Sequence, residues 1–484
     1  MPPTDAVTIS RAVASRTLSA DEVCRSAIER MERLNPALNA LITVDEEGAP
    51  GRAAAIGSRS RDEDVRLAGV PVVVKDNICT RGLRTTAGSR LLEHYVPSYT
   101  ATAVERLEAA GAIVVAKGNC DEFAMGSSTE HSAFGAARNP WALDRTPGGS
   151  SGGSAVAVAT GMTPIALGSE TGGSVRQPAA LCGVLGLKPT YGRISRYGLI
   201  AFGSSMDQIG VFARTAADLA TVLSVIAGAD HRDATSSGHP TDDYVSAASP
   251  RSGSLRIGVP RTLLENGIEP GVLAAVDAAL REFEADGASL VDITLPHAPY
   301  ATPTYAIVAM AEASSNLNRY DGVRYGYRAP AADSLDEMYS RTRAAFGREV
   351  KRRVMLGTYV LSGGYYESFY LKAQKVRGRL REDYERAFAQ VDVVATPTSP
   401  TTAFRLGARV EDPLQMYLAD VFTASANLTG LPAISVPCGF AEGLPVGLQF
   451  TGRAWDEGTL LQVAARFERR TDWNLRMPTL NLER

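Results

Sequence analysis

Histidine and cysteine are both scarce in this sequence of 484 residues. The five cysteines are odd in number and scattered, without a Cys-x-x-Cys pair. Such a set argues against a disulfide framework and against a zinc site built from paired cysteines. Five histidines also leave few candidates for the general base that hydrolases most often use.

Excess charge and long apolar runs are lacking as well. The 50 basic residues nearly balance the 53 acidic ones, and the formal net charge is −3. A chain without a basic excess has no overall field that would concentrate nucleic acid or anionic membrane around it. There is no apolar run of about 18 residues or more and no basic, apolar N-terminal pattern. We therefore expect a soluble, cytoplasmic protein.

Short apolar runs that alternate with helical patterns predict an α/β fold. Ser19 and Glu22 have the spacing of a capping box for a helix over about 20–34, which Asn35-Pro36 would end. Alternating β-branched runs and helices favour a large, mainly parallel mixed sheet covered by helices on both faces. The predicted strands are 70–74, 112–116, 255–259, 290–295, 391–396 and 446–451, and the clearest further helices are 102–111 and 270–285.

An uncharged stretch of 24 residues lies between Arg145 and Glu170. Its six glycines, four serines and two prolines do not fit a membrane span. Apolar runs at 155–159 and 165–167 argue against a flexible linker, and the lack of a GxxxxGK[ST] string makes a nucleotide-binding loop the weaker interpretation. The glycines suit a site where backbone N–H groups approach a substrate.

An acyl-transfer site fits the residues that follow this stretch. Ser174 is a candidate nucleophile, and the small residues Thr171, Gly172 and Gly173 before it let consecutive N–H groups converge on one oxyanion. No histidine offers itself as the base, because all five lie in apparent surface or linker contexts without an obvious acidic partner. These histidines are His94, His131, His231, His239 and His297.

Lys75 is the alternative base, because it follows the apolar run 70–74 directly. Partial desolvation at the end of a buried strand would lower its pKa from about 10.4 and allow it to accept a proton. Taken alone, a lysine in this position fits a buried salt bridge or an exposed strand end at least as well. The neighbouring serine-rich segment is what favours the catalytic interpretation.

Three strings together resemble the signature of the amidase signature family. They are Gly148–Ser154, Gly168–Ala179 and Gly183–Thr190. The resemblance implies a Ser-Ser-Lys triad, in which Ser174 forms the acyl-enzyme, Ser150 bridges from a cis peptide and Lys75 is the base. It also implies that Ser151 adds a hydrogen bond at this site.

Within that family, the chain is similar to the glutamine-hydrolysing subunits of tRNA-dependent amidotransferases. The supporting strings are Asp121–Ser128, Tyr191–Arg193, Met206–Gly210, Arg319–Gly322, Leu356–Tyr359 with Tyr365-Tyr366, and Leu431–Pro437. The resemblance implies a heterotrimer in which glutamine is hydrolysed here and its ammonia passes to the B and C partner subunits, which amidate activated glutamate on a mischarged tRNA. It implies no cofactor on this chain, ATP and Mg in the assembled complex, and tRNA contact mainly through the partner.

A free amino acid needs a cation for its carboxylate and an anion for its ammonium group. By similarity, Arg353 would bind the carboxylate and Asp420 the ammonium group of glutamine, with Tyr305 and Ser151 as further substrate-binding residues. Each charged residue, taken alone, fits an ordinary solvated helix position about as well.

Other interpretations stay open at this stage. A stand-alone amidase acting on a small carboxamide would carry the same triad, and a non-catalytic scaffold would keep only the fold. The string 149–153 also satisfies the GxSxG pattern of α/β-hydrolases, although a loop is predicted before it.

The basic residues at 372, 375, 377, 379 and 381 are interleaved with acidic ones, which favours a solvated or partner-facing helix over tRNA contact.

The resemblance extends over roughly residues 15 to 470 and predicts one domain over 1–484. Its expected parts are a helical segment at 1–65, the catalytic core at 66–230, a surface linker or insertion at 231–254, and the rest of the α/β core at 255–484. Within the last part, 312–388 is expected to form a helical layer over one edge of the sheet.

Overall fold

One sheet runs through the protein, which a computed structural model describes over residues 5–57, 65–249 and 254–480. Its eleven strands are β1 (Leu41–Val44), β2 (Pro71–Lys75), β3 (Ile113–Gly118), β4 (Ile165–Glu170), β5 (Leu185–Lys188), β6 (Gln208–Ala213), β7 (Arg256–Val259), β8 (Ser289–Asp292), β9 (Val393–Pro397), β10 (Ala433–Ala441) and β11 (Leu444–Thr451). Their spatial order is β1-β3-β2-β4-β6-β5-β10-β11-β9-β7-β8.

Sixteen α-helices are described around this sheet. They are α1 (Ala6–Ala14), α2 (Ala20–Leu38), α3 (Gly48–Gly57), α4 (Thr102–Ala109), α5 (Gly152–Ala159), α6 (Arg176–Cys182), α7 (Ala216–Ile226), α8 (Tyr244–Ala247), α9 (Pro270–Ala285), α10 (Ala301–Leu317), α11 (Leu335–Ala344), α12 (Arg348–Leu361), α13 (Lys372–Phe388), α14 (Pro413–Leu418), α15 (Ala424–Thr429) and α16 (Glu457–Arg470). A π-helix, Tyr366–Leu371, leads into α13.

The predicted α/β fold with a large mixed sheet is confirmed, but the balance of strand directions differs from the expected one. Among the described strands, β2-β3, β2-β4, β7-β8 and β7-β9 pair in parallel, while the other six neighbouring pairs are antiparallel. The two parallel groups lie towards the ends of the sheet, and antiparallel strands join them. One cause is the hairpin of β10 and β11, whose connecting residues Glu442 and Gly443 both have positive φ, at 51° and 77°.

Every predicted strand is present, within a few residues of its expected bounds. The unpredicted strands β1, β4, β5, β6 and β10 complete the sheet. The helix expected over 20–34 begins with the predicted capping box, but it continues through Pro36 to Leu38. Asn39, in the left-handed conformation, ends it and donates its N–H to the carbonyl of Asn35. The prediction that Asn35-Pro36 ends the helix is therefore wrong by about one turn.

The central strands are covered by protein on both faces. Every residue of β2, β3 and β4 is buried, including residues on opposite sides of each strand. A second hydrophobic cluster lies under α10, α12, α13 and α15, and it includes Phe123, Phe202 and Met206 from loops of the sheet domain. The helices within 312–388 thus form a layer with its own core.

Two further sequence expectations concern the cysteines and the segment 231–254. All five cysteines are buried free thiols. In 231–254, most residues before α8 are exposed, α8 buries Tyr244, and 250–253 lie outside the described residues. None of the described helices combines the length and the apolar character that crossing a membrane requires.

Candidate active site

Lys75 is the last residue of β2 and is completely buried. Its Nζ donates hydrogen bonds to Ser150 Oγ at 2.6 Å and to the carbonyl oxygen of Ser169 at 3.2 Å. Burial lowers the pKa of Lys75 to about 8, although nearby acids such as Asp121 and Glu170 partly oppose this effect. The neutral amine is therefore accessible near physiological pH, and the neutral amine is the form that can accept a proton.

Ser150 lies in a turn whose neighbouring residues are hydrogen-bonded to the segment 174–177. The peptide bond between Gly149 and Ser150 is cis. The N–H of Gly149 donates to Gln177 Oε1 at 3.0 Å, and the N–H of Ser151 donates to the carbonyl of Ser174 at 3.2 Å. The two strings that the sequence singled out therefore meet beside Lys75.

Ser174 lies in the loop between β4 and α6. The N–H groups of Gly172, Gly173 and Ser174 donate no hydrogen bond to any other described residue. The next two N–H groups, of Val175 and Arg176, donate to Glu170 Oε2 at 2.9 and 3.0 Å. A row of unpaired N–H groups next to a serine hydroxyl is an arrangement that can bind a developing oxyanion. On the other side, the Thr171 hydroxyl donates to Asp207 Oδ1 at 2.7 Å.

A buried ion pair that sequence reasoning missed holds this loop. Glu170 ends β4 and Arg176 begins α6, and the two completely buried side chains pair directly. Burial alone would raise the pKa of Glu170, but Arg176 lowers it below its ordinary value, so the carboxylate stays ionised. Arg176 also donates to the carbonyl of Thr423 at 2.9 Å and to Asn427 Oδ1 at 2.5 Å. The only indication of this pair in the sequence was that Glu170 and Arg176 are the first charged residues after the uncharged stretch 146–169.

Asp420 and Tyr305 lie against the glycines before Ser174. A Cβ on Gly172 would come within 2.6 Å of the Tyr305 ring, and a Cβ on Gly173 would collide with Asp420 Oδ1. Ser127 Oγ donates to Asp420 Oδ2 at 2.5 Å, whereas the buried Oδ1 has no described hydrogen-bond partner. Burial raises the pKa of Asp420 to about 7. An unpaired acidic oxygen therefore lies beside the Ser174 loop.

Arg353 lies on the buried face of α12. Its Nε donates to Glu349 Oε1 at 2.7 Å, and its guanidinium group lies 5.5 Å from the ring centroid of Phe202 and 5.3 Å from that of Tyr417. Burial alone would lower the pKa of Arg353, but Glu349 raises it above its ordinary value, so the group is charged. Its two terminal nitrogens donate to no described residue, which leaves a planar cation available for a carboxylate.

Ser151 contacts backbone at this site. Its completely buried hydroxyl donates to the carbonyl of Ser169 at 3.1 Å and accepts the Ser169 N–H at 3.3 Å. These bonds attach the residue before α5 to β4, next to the carbonyl that Lys75 contacts. The Ser151 hydroxyl and the Lys75 amine thus donate to the same carbonyl, that of Ser169.

The expectation that no histidine has an acidic partner is wrong. His297 Nδ1 lies 3.0 Å from Asp383 Oδ1, and the His297 N–H donates to Asp383 Oδ2 at 2.7 Å. The two residues are 86 positions apart, and only the approach of α13 to the segment before α10 brings them together. The side chain that contacts Ser150 is nevertheless Lys75.

The local structure also bears on the α/β-hydrolase and linker interpretations. Residues 146–149 form irregular backbone in place of the strand that a nucleophile elbow requires. Gly152–Ala159 form the fully buried helix α5, which a flexible linker would not. Both observations favour the lysine-based site.

Comparison with known proteins identifies the family. The model of the family described as Amidase matches residues 22–461, most of the chain.

The chain belongs to the amidase signature family.

Among curated relatives, the A subunit of glutamyl-tRNA(Gln) amidotransferase from Roseiflexus castenholzii is 55% identical, over 99% of this chain and 98% of its own length. The corresponding protein of Carboxydothermus hydrogenoformans is 53% identical, over 98% of each chain.

Solved structures show how widely this amidase fold is shared. The crystal structure of the A subunit of glutamyl-tRNA(Gln) amidotransferase from Thermotoga maritima has a TM-score of 0.79 at 44% identity, covering 93% of this chain and 91% of that one. A structure of 6-aminohexanoate cyclic dimer hydrolase has a TM-score of 0.84 at 29% identity, covering 98% of both chains. The fold alone therefore does not select the substrate, whereas the higher identity points to the amidotransferase subunits.

The Glu170–Arg176 pair gives a stability prediction for this site. Replacing Arg176 with methionine leaves Glu170 buried without its counter-ion, and we expect unfolding stability to fall by about 3–5 kcal/mol. Urea unfolding followed by fluorescence measures the change. Arg379→Met is the matched control, because the Arg379–Glu382 pair is exposed, and its midpoint should stay at the wild-type value. Equal midpoints for the two variants would contradict the role given to Arg176.

Proposed function

We propose that this chain is the glutaminase subunit of a tRNA-dependent amidotransferase that converts Glu-tRNA(Gln) to Gln-tRNA(Gln). The observation that carries the proposal is a cation and an acid that interact electrostatically and that each keep polar atoms without a described partner, namely the terminal nitrogens of Arg353 and Oδ1 of Asp420 beside the Ser174 loop. A basic and an acidic group available together suit a free amino acid such as glutamine better than a neutral carboxamide. Full-length identity of 55% to the A subunit of a named amidotransferase supports the same activity.

In the proposed reaction, Lys75, Ser150 and Ser174 form the triad. Neutral Lys75 takes a proton from Ser150 as Ser150 takes one from Ser174, and Ser174 Oγ attacks the side-chain amide carbon of glutamine. The N–H groups from Thr171 to Ser174 stabilise the oxyanion. Return of the proton to nitrogen breaks the C–N bond and releases ammonia, and water then hydrolyses the glutamyl ester to glutamate.

The proposed substrate contacts follow from the same geometry. Arg353 binds the α-carboxylate and Asp420 Oδ1 accepts from the α-ammonium group, which restores a charged partner to an acid that burial makes hard to ionise. The Tyr305 ring packs on Gly172. The Ser151 hydroxyl positions the Ser169 carbonyl, to which Lys75 also donates.

The assembly is the second part of the proposal. The chain forms one catalytic domain of a cytoplasmic heterotrimer with the B and C subunits, which receive the ammonia, use ATP and Mg to activate glutamate, and provide most of the contact with the mischarged tRNA. The net charge of −3 supports a minor role for this chain in tRNA binding.

Replacing Ser174 with alanine tests the nucleophile. We expect ammonia release from glutamine by the assembled complex to fall by at least about 10³-fold, because no covalent intermediate can form. Amidation of Glu-tRNA with added ammonium chloride should persist, which shows that the partners remain functional. Ser224→Ala on α7 is the control and should match wild type. Unchanged glutamine-dependent ammonia release in Ser174→Ala would refute the proposal.

The pKa of Lys75 predicts the pH dependence of the reaction. Because the base must be neutral, kcat/KM for glutamine should rise with pH towards a midpoint of about 8, and the rise should be steeper than tenfold per unit below about 7, where Asp420 also loses its negative charge. Steady-state rates from pH 6 to 10, in the assembled complex, provide the measurement. A histidine base would place the midpoint near about 6.5 and would contradict the assignment.

Arg353 should affect substrate binding more than chemistry. In Arg353→Met we expect KM for glutamine to rise by at least about tenfold, since a charge-assisted pair with the carboxylate is lost, with a smaller change in kcat. Arg341→Met, which removes an exposed arginine of α11, is the matched control. If KM is unchanged in Arg353→Met, the carboxylate is bound elsewhere.

A further inference from the structure

An exposed apolar patch covers the outer side of α12 and the π-helix that follows it. We call it the aromatic patch, and the exposed fractions of its members range from 37% for Tyr366 and Leu371 to 72% for Met355. Its seven residues are Met355, Leu356, Tyr359, Tyr365, Tyr366, Phe369 and Leu371. Isolated exposed apolar residues are common on proteins, but contiguous groups of this kind are typical of interaction surfaces.

The aromatic rings of the patch pack against each other. The ring centroids of Tyr359 and Tyr365 are 4.3 Å apart, and those of Tyr365 and Phe369 are 6.0 Å apart. Tyr366 stacks on Tyr370 with centroids 5.3 Å apart. Tyrosine, phenylalanine and methionine are enriched at protein–protein interfaces because rigid rings bury much area at a small entropic cost.

Basic residues surround the aromatic patch. Arg348, Lys351 and Arg352 line a cleft of about 630 Å³ together with Met355 and Leu356. Lys372 and Lys375 lie at the other end, both exposed and without a described salt-bridge partner. Within 348–375, the only exposed acidic residue is Glu367. Because Arg348 and Arg352 already pair with Glu411 and Glu349, the acidic residues of an occupant would face Lys372 and Lys375, at the rim of an apolar centre.

A protein fits this surface better than RNA does. Two of the basic groups in the cleft already have carboxylate partners, since Arg348 pairs with Glu411 at 2.6 Å and Arg352 with Glu349 at 2.5 Å. Part of the exposed area is aliphatic, from Met355, Leu356 and Leu371. Tyr366 stacks on Tyr370, and Tyr359 packs against Tyr365 at a tilt of 36°, so fewer ring faces remain for bases.

The aromatic patch lies directly behind a residue of the candidate active site. On α12, Glu349, Arg353 and Gly357 face inwards, while Met355, Leu356 and Tyr359 face outwards. A Cβ on Gly357 would collide with the carbonyl of Met310 on α10, so the two helices are in close contact. The N–H of Gly347, at the start of α12, donates to Glu122 Oε2 at 2.7 Å. The same helix thus supports both the aromatic patch and Arg353.

We propose that the aromatic patch is the docking surface for a partner subunit whose contact face has an apolar centre and an acidic rim. The proposal rests on the proposed function, which requires such a partner. Docking on the outer face of α12 places the partner one helix away from Arg353, so assembly and glutamine binding act on the same element.

Charge-introducing variants at the aromatic patch test the proposal. Met355→Glu and Tyr366→Glu should each weaken binding of the chain to co-purified B and C subunits by at least about tenfold, measured by titration calorimetry, because a carboxylate would be buried in an apolar contact. Lys375→Glu should weaken binding more at low than at high salt. Leu335→Glu and Leu475→Glu are the matched controls, with 61% and 65% exposure elsewhere on the surface. Unchanged melting temperatures of the free variants exclude misfolding.

The outcomes separate the alternatives. Wild-type affinity for B and C in both Met355→Glu and Tyr366→Glu would overturn the proposal. It would equally be overturned if these variants only abolished self-association of the chain, or if they assembled normally and only reduced tRNA binding by the complex. A wild-type complex that assembles but does not amidate Glu-tRNA would instead refute the proposed function. In that case, the affinities of the variants for the B and C subunits would still decide whether the aromatic patch is the docking surface.

Discussion

The buried Glu170–Arg176 ion pair is the interaction on which the candidate active site depends. It joins the end of β4 to the start of α6. Glu170 also accepts the N–H groups of Val175 and Arg176, which follow Ser174. The same guanidinium contacts Gln449 on β11 and Asn427 on α15. Because a buried charge tolerates little displacement from its partners, one arginine connects the signature segment to the C-terminal third of the chain.

Burial also makes the neutral form of Lys75 accessible. In water, Lys75 would be protonated and inert as a proton acceptor, whereas complete burial at the end of β2 lowers its pKa to about 8. The strand order places β2 beside β4, so the residues that follow β4 reach the lysine. In a chain with few histidines, the sheet thus provides the desolvation that brings the pKa of a lysine closer to neutral pH.

The fold and the substrate are determined by different parts of the molecule. The overall fold is shared with enzymes such as 6-aminohexanoate cyclic dimer hydrolase, to which the TM-score is 0.84. The charged groups that suit an amino acid, Arg353 and Asp420, come from α12 and from the second residue after α14. One fold can therefore serve different substrates through the residues placed around its site.

The sequence by itself determined the α/β class, most strand positions and the strings that carry Lys75, Ser150 and Ser174, because these depend on local periodicity and on short, specific motifs. Only the tertiary structure decided which strands are antiparallel, that His297 meets Asp383, and that Arg176 has partners more than 240 positions away. Such contacts leave no local pattern, since they form between segments that pack together only in the folded chain. The availability of Arg353 was likewise decided by folding, because whether a charged atom remains unpaired depends on every neighbour around it.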